Sequence, residues 1–422
     1  MPNAYISGTG FFVPPRVVTN DHLKTEYGID TSDEWIFPRT GIKERRYADQ
    51  GVSASDLALP AAEEAIWRAG IDKKEIEMII LATLSPDHHF PGTGVYLQKK
   101  LGLCEGENAT FVPALDVRNQ CSGFLYSMAV AAGMVQSGAL RHVLVVGVEI
   151  HSAALDFTTR GRTVTSLFGD GAGAVVVSAT EEDRRIRSWE LGADGRYADA
   201  LSLKIWDISQ KPYIPQNDEG VGQMIPEMMF PQMDGKLVFK NAVQRMIEVM
   251  IRVAEEQKIG VDDIDLFLFH QANLRINEFI QKQIGAPEDK FVNNIERYGN
   301  TTAATLPILL AESERNGKLQ PPTTVVQTLT KIITDEGAEG YYLGGSGHGD
   351  QDGFRPDDRR ALLGKAQQIL MGQDPFDREK FWHWMWVSNM PEHLLSVIDM
   401  ALWDLQARAF GIPGYKLLGG CR

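Results

Sequence analysis

Residues 116–127 read DVRNQCSGFLYS. A strand-like run, ATFVPALDV (109–117), leads into Cys121, and a small-residue helix, SGFLYSMAVAAGMVQSG (122–138), leads away from it. A cysteine at such a junction meets the free N–H groups and the positive end of a helix, which favour its thiolate. Ser122 and Gly123 are small enough to let a substrate approach. A lone cysteine is more often a buried structural residue, and Cys104 and Cys421 keep that plainer reading.

Outward from Cys121, strand-like and helix-like pieces alternate. AYISGTGFFV, EMIILATLS (77–85), HVLVVGVEI (142–150) and GAGAVVVSAT (171–180) read as strands. SASDLALPAAEEAIWRAG (53–70) reads as a helix capped by Ser53 or Ser55 and stopped by Gly70. The theme then repeats. RSWELGADG is strand-like, FKNAVQRMIEVMIRVAEEQKIG (239–260) a long amphipathic helix, DIDLFLFHQAN (263–273) a buried strand, and NTTAATLPILLAESERNG (300–317) a helix. Strands alternating with helices predict an α/β fold, and the repeated order predicts a duplicated core with halves 1–180 and 181–321. Residues 197–235 lack periodicity and read equally as a binding lid or a surface excursion.

Two residues of the second half share the polar chemistry of Cys121. His270 ends an apolar strand in FLFHQAN, where side chains of an α/β sheet meet a ligand cleft. It can donate a hydrogen bond or carry a proton near neutral pH, and a satisfied core histidine is the even alternative. Asn300, in RYGNTTAATLP, stands at a helix N-terminus, where Asn is also a favoured cap.

Together these contexts resemble beta-ketoacyl-[acyl-carrier-protein] synthase III, a thiolase-fold condensing enzyme. The matching stretches are TSDEWIFPRTGIKERR (31–46), DVRNQCSGF (116–124), FGDGAGAVV (168–176), HQANLRI (270–276) and YGNTTAA (298–304), in family order. The resemblance spans residues 4 to about 320 and implies a layered α/β/α/β/α core. It implies that Cys121 accepts the acyl group, and that His270 and Asn300 hold the malonyl thioester carbonyl and stabilise the enolate left by decarboxylation. It further implies that Trp35 and Arg39 contact the coenzyme A nucleotide, and that Phe90 shapes the acyl pocket across a homodimer interface. Lys43, Arg45, Arg46 and Arg275 become candidates to meet an acidic acyl carrier protein, with a solvated basic run the even alternative. FGDGAGA lacks the Lys-Ser/Thr of a phosphate loop and reads as a tight structural turn. No metal or cofactor is implied, with the coenzyme A thioester acting as substrate.

The pattern changes near Pro321–Pro322. The family's closing strand and Gly-rich oxyanion turn are not recognisable after Leu319. TTVVQTLTKII stands at the strand position and GGSGHG (344–349) at that of the turn. TTVVQTLTKIITDEGAEGYYLGG instead reads as a hairpin turning at TDEG, followed by helices at 356–372 and 391–411 with FWHWMW (381–386) between. TKIITDEGAEGYYLGG, DPFDREKFW and DMALWDLQARAFGIPGYKLLGG resemble the N-terminal capping region of enolase-superfamily acid-sugar dehydratases, an α+β segment over 322–422. The barrel bearing that superfamily's metal ligands does not follow, so no dehydratase site is expected. His348, His383 and Trp384 are candidate relics of its specificity contacts, with ordinary surface and core roles favoured. Such a join suggests a chimera.

Composition narrows the rest. The 422 residues carry 42 basic and 56 acidic side chains, a formal charge of −14. Phosphate backbones and anionic membranes repel such a surface. Three dispersed cysteines without a CxxC pair fit a reducing cytoplasm and make a zinc site improbable. No signal peptide and no spanning apolar run is expected. Three rivals remain: a long-chain condensing or acyl-transfer enzyme of the same fold, an inert chimera, and a papain-like protease. The last lacks the cysteine-rich neighbourhood of that nucleophile.

Overall fold

Five strands of the first 180 residues assemble into one sheet, and Val17–Thr19 pairs separately with Glu44–Arg46, in the computed structural model, which describes residues 2–106, 109–205, 209, 229–319, 328–333, 339–344, 370, 402, 405 and 406. Along the chain, β1 (Asn3–Phe12) and β2 (Val17–Thr19) precede α1 (Asn20–Thr25) and α2 (Asp33–Thr40). Then come β3 (Glu44–Arg46), α3 (Ala54–Ala69), β4 (Met78–Ala82), α4 (Thr93–Lys100), β5 (Ala114–Val117), α5 (Gly123–Gln136) and β6 (His142–Glu149). The half closes with α6 (Arg162–Thr165) and β7 (Gly171–Thr180). The sheet order is β1-β7-β6-β4-β5. β4 runs parallel to β5 and β6, whereas β7 is antiparallel to β1 and β6.

Both faces of this sheet are covered, which is why its strands read as unbroken apolar runs. Leu144, Val146 and Val148 of β6 pack with Ala61, Ala65 and Ile66 of α3 on one face. Val143 and Val145 pack with Phe124, Met128 and Ala132 of α5 on the other. α3 begins after Ser53 and ends at Gly70, whose φ is +70°, as the sequence predicts. β1 lies directly against α3. A Cβ at Gly8 would come within 2.2 Å of the Ala65 carbonyl oxygen, so only glycine permits the approach.

The second half contributes β8 (Leu201–Ser202), β9 (Gln232–Met233), α7 (Gly235–Gln257), β10 (Phe267–Leu268), α8 (Leu274–Ile284), β11 (Phe291–Val292), α9 (Ile295–Tyr298) and α10 (Thr305–Arg315). β10, α8 and β11 repeat the parallel strand–helix–strand unit of β4, α4 and β5. Phe267, Ile276, Ile280 and Phe291 form their core, with the apolar side of α7 packed on it through Val243, Met246 and Ile247. α10 lies on β1 and β7, and its Leu306 enters the same cluster as α5. The two halves therefore share one layered core.

Two strand expectations are revised. Residues 187–194, within RSWELGADG, form no strand. A strand needs a ladder partner for its N–H and C=O groups, and none is paired to this run among the described residues. DIDLFLFHQAN supplies a strand of only two residues, β10. The aperiodic stretch 197–235 is closed at its base, where β8 pairs antiparallel with β9; residues 206–208 and 210–228 lie outside the described set.

The chain divides into two compact units between Thr323 and Thr324. In the second, β12 (Thr328–Ile333) pairs antiparallel with β13 (Glu339–Gly344), with Ile333 opposite Glu339. The antiparallel pairing is the one the sequence predicts, and its expected turn, TDEG (334–337), lies outside the described residues. Among the described residues the pair forms its own two-stranded sheet, and residues 323–327 of TTVVQTLTKII lie outside the described set. Residues 370, 402, 405 and 406 are helical, and Leu402 and Leu405 are buried. Residues 345–349 of the Gly-rich turn, FWHWMW, His348, His383, Trp384 and Cys421 lie outside the described residues. Among the described residues no helix is long and apolar enough to cross a membrane.

Candidate active site

Cys121 sits in a single 3-10 turn, Gln120–Ser122, between β5 and α5. Gln120 has φ +48°, the left-handed region that a side chain rarely adopts. That turn sets the cysteine at the head of α5 rather than within β5. The structure revises the expected thiolate. Burial, and behind it the charge of Glu149, push the Cys121 thiol up to about 12, against a smaller opposing pull from its own backbone N–H. Desolvation thus outweighs the helix terminus, and Cys121 rests as a thiol.

Glu149, at the end of β6, is fully buried. Burial raises its carboxyl to about 8, although Ser85 Oγ donates to it at 2.8 Å and the backbone N–H groups of Leu84 and Ala303 donate as well. It is mostly neutral at pH 7. Its bond to Ala303 ties β6 to the turn that follows Asn300. That turn crosses close over Gly147, where a Cβ would come within 2.3 Å of the Ala303 carbonyl oxygen.

Asn300 is buried and held on both sides of its peptide. Its backbone N–H donates to the Leu167 carbonyl at 2.8 Å, and its carbonyl accepts from Gly169 N–H at 3.1 Å. FGDGAG (168–173) is not the tight turn expected: Phe168 bridges to Asn300, Gly169 lies against the Asn300 backbone, and Gly171–Gly173 open β7. The Asn300 side chain accepts at Oδ1 from the Thr302 N–H at 2.8 Å, which fixes the amide orientation and leaves the Nδ2 hydrogens for another partner. Thr302 itself has φ +49°, unusual for a β-branched residue. Its hydroxyl is bonded to Nε2 of His151, a part-buried imidazole that packs on Phe168 and whose pKa desolvation lowers to about 4.

His270 follows β10. Its Nδ1 lies 2.6 Å from Oγ1 of Thr305, the first residue of α10. Its Nε2 is buried without a partner among the described residues. Burial lowers its pKa to about 4, so it is neutral at physiological pH. The Gln120–Ser122 turn packs on the Thr302–Ala304 turn, and Thr305 links that turn to His270. The fold thus brings together Cys121, Asn300 and His270, from three separate stretches of sequence. Glu149, His151, Thr302 and Thr305 give no sequence signal, since nothing in their spacing marks them as polar contacts of the site.

The Arg39 guanidinium lies 4.9 Å from the Trp35 ring centroid, and Arg162 lies 4.8 Å from the same ring. The sequence had marked Trp35 and Arg39 but not Arg162. Phe90 is 82% exposed on the β4–α4 loop. Lys43 is exposed and paired with Glu296, while Arg275 is partly exposed, bidentate to Glu278 and bonded to the Pro38 carbonyl. Arg46 is mostly covered and paired with Glu44. Arg45 is no docking residue. It is 0% exposed, donating to Asn20 Oδ1 at 2.8 Å, the Ser166 carbonyl at 2.7 Å and the Val18 carbonyl at 3.2 Å. Those acceptors hold the guanidinium inside, where no partner reaches it. Among the described residues no group of three His, Cys, Asp or Glu side chains is placed to hold a metal ion.

A cysteine at a strand–helix junction of a layered α/β core, with a histidine and an asparagine from the second half, defines the thiolase-fold acyltransferases. Comparison with known proteins specifies the family. Residues 115–195 match 3-Oxoacyl-[acyl-carrier-protein (ACP)] synthase III, and residues 254–329 match its C-terminal domain. The beta-ketoacyl-[acyl-carrier-protein] synthase III of Clostridium perfringens is 38% identical over 326 residues, covering 77% of this chain and 95% of that protein. The crystal structure of 3-oxoacyl-[acyl-carrier-protein] synthase III from Aquifex aeolicus matches at 36% identity and TM-score 0.65, over 75% of this chain and 92% of that one. The priming beta-ketosynthase of the R1128 polyketide pathway matches at 31% identity and TM-score 0.65, over 75% and 89%. The chain belongs to the beta-ketoacyl-[acyl-carrier-protein] synthase III family, a family of acyltransferases. Residues 320–419 match the N-terminal domain of mandelate racemase / muconate lactonizing enzyme, consistent with the enolase-type cap read from the sequence.

Proposed function

We propose that the chain condenses an acyl-CoA with a malonyl thioester, carried by acyl carrier protein, to a 3-oxoacyl thioester in fatty acid or related acyl biosynthesis. The reaction is ping-pong. The Cys121 sulfur attacks the acyl thioester carbonyl, the bond to the coenzyme A sulfur breaks, and the thiol proton leaves on that sulfur. The malonyl thioester then loses carbon dioxide. The electron pair moves onto its thioester oxygen, between donors at Asn300 Nδ2 and His270 Nε2. The enolate carbon attacks the acyl-Cys121 carbonyl, a carbon–carbon bond forms, the bond to the Cys121 sulfur breaks, and the released thiolate takes a proton from water. No metal or redox cofactor has a step in this scheme.

The observation that carries this reading is the fixed Asn300 amide, with its oxygen taken by Thr302 and its Nδ2 left to a ligand. The two arginines around Trp35 support a nucleotide anchor there, with Arg162 joining Trp35 and Arg39. Lys43 and Arg275 flank α2 and suit an acidic carrier protein. A homodimer is supported by β5, which is an edge strand carrying Leu115 at 38% exposure, and by Phe111 at 93%. An exposed apolar edge of this kind seeks a partner, and Phe90 near it would then reach a neighbouring acyl pocket.

Intact-protein mass after brief incubation with acyl-CoA thioesters of varied length, beside Cys121→Ser, tests the first half-reaction. A one-acyl gain lost in the mutant supports the reading, and the best chain separates short-chain from long-chain use. A second reading, an inert chimera, is favoured by the separate pairing of β12 with β13. No adduct from any thioester in folded protein selects it.

A further inference from the structure

Thr305 holds one hydroxyl hydrogen between two acceptors. The Thr302 carbonyl lies 2.9 Å from Thr305 Oγ1, and His270 Nδ1 lies 2.6 Å from it. The carbonyl does not need that hydrogen, because it already accepts from the backbone N–H of Thr305. Nδ1 has no other partner among the described residues. His270 is neutral, so its ring carries a single proton, on Nδ1 or on Nε2.

We propose that Thr305 is the positioning residue that fixes the tautomer of His270. Its hydroxyl donates to Nδ1, which places the ring proton on Nε2. The buried, partnerless Nε2 is then an N–H donor waiting for an acceptor on the substrate. The opposite arrangement, with Nδ1 donating to Thr305, would leave a bare lone pair at Nε2 and no second donor for a developing oxyanion. This inference rests on the condensing reaction proposed above for its meaning, though not for its geometry. The arrangement resembles the way a second partner sets the active ring nitrogen in other histidine sites.

Three proteins test it: wild type, Thr305→Val, which keeps the shape and removes the hydrogen, and Thr305→Ser, which restores it. Long-range 1H–15N correlation on histidine-labelled protein reads the protonated ring nitrogen directly, with the His270 signals assigned by their loss in His270→Asn. Nε2–H in wild type and Ser, and its loss or mixing in Val, is the expected result. Condensation of acylated enzyme with malonyl-carrier protein should fall about 10²-fold in Val, the size of losing one oxyanion donor, and recover in Ser. A wild-type spectrum showing Nδ1–H overturns the proposal. So does equal loss in Val and Ser at matched thermal stability, which would mean shape rather than the hydrogen. If wild type condenses nothing, the functional reading fails while the spectrum still decides the tautomer. If Val does not fold, the wild-type and Ser spectra decide it.

Discussion

Thr302 donates its backbone N–H to Oδ1 of Asn300 at 2.8 Å, and that one bond decides which end of the amide is available. Asn300→Asp keeps the acceptor and removes the Nδ2 donor. Condensation should fall about 10²–10³-fold, since an oxyanion donor is exchanged for a negative charge. Asn300→Ala loses the acceptor too and strands the Thr302 N–H, adding a stability loss of about 1–3 kcal/mol. Steady-state rates and denaturant melts of both variants check this. Equal rates in wild type and Asn300→Asp would remove Asn300 from the chemistry.

Glu149 binds its proton more tightly in the folded protein than in the unfolded chain, with its carboxyl raised to about 8. The folded state therefore holds more protons between the ordinary carboxylate pKa and 8, and this group makes stability fall as pH rises through that window. Glu149→Gln should flatten that fall. It should also move the pH midpoint of Cys121 alkylation by iodoacetamide downward, because a charge that raises the thiol is gone. An unmoved midpoint would leave burial as the sole cause.

His270 and His151 behave oppositely. Both are lowered to about 4 by burial, so the folded state holds fewer protons than the unfolded one between 4 and the ordinary histidine range. Their contribution to stability is complete above that range and lost as pH falls through it towards 4. Urea melts from pH 7 to 4 should show a decline that is smaller in His151→Gln. A decline of the same size in that variant would assign the effect to other groups.

Arg45 and Lys43 lie two residues apart and should separate cleanly. Arg45→Met strands three acceptors and should cost about 3 kcal/mol of stability. Lys43→Glu breaks an exposed pair with Glu296 and an exposed contact with the Phe37 ring, so stability should hardly change. Its effect should appear instead as a raised KM for the carrier-bound substrate. A Lys43→Glu enzyme with unchanged KM would move the docking site elsewhere.

Trp35→Ala removes the ring between Arg39 and Arg162. A stacked nucleotide contact of about 1–2 kcal/mol translates to roughly tenfold in KM for acyl-CoA. Condensation from enzyme already acylated should be spared. Leu115→Arg tests the edge strand: sedimentation should show dissociation, because a charge on a paired edge opposes association.

The sequence alone determined the class. Buried strands, a small-residue helix after Cys121 and family-ordered motifs around His270 and Asn300 are local patterns, and local patterns survive without coordinates. The hairpin of β12 and β13 was legible for the same reason, because apolar runs flank a turn. What the sequence misjudged depends on who the neighbours are. RSWELGADG has a strand's composition but no ladder partner among the described residues. Arg45 reads as one of a basic run with Lys43 and Arg46, yet three carbonyl and amide oxygens from distant segments draw it inside. The thiol of Cys121 stands at a helix start, which sequence can see. Its desolvation and the nearby Glu149, 28 positions along the chain, are set by packing. Likewise Thr305 lies 35 residues from His270 in sequence and 2.6 Å from it in space. Only tertiary structure decides such pairs, because a hydrogen bond and a buried charge depend on distance and dielectric, and neither is written in residue order.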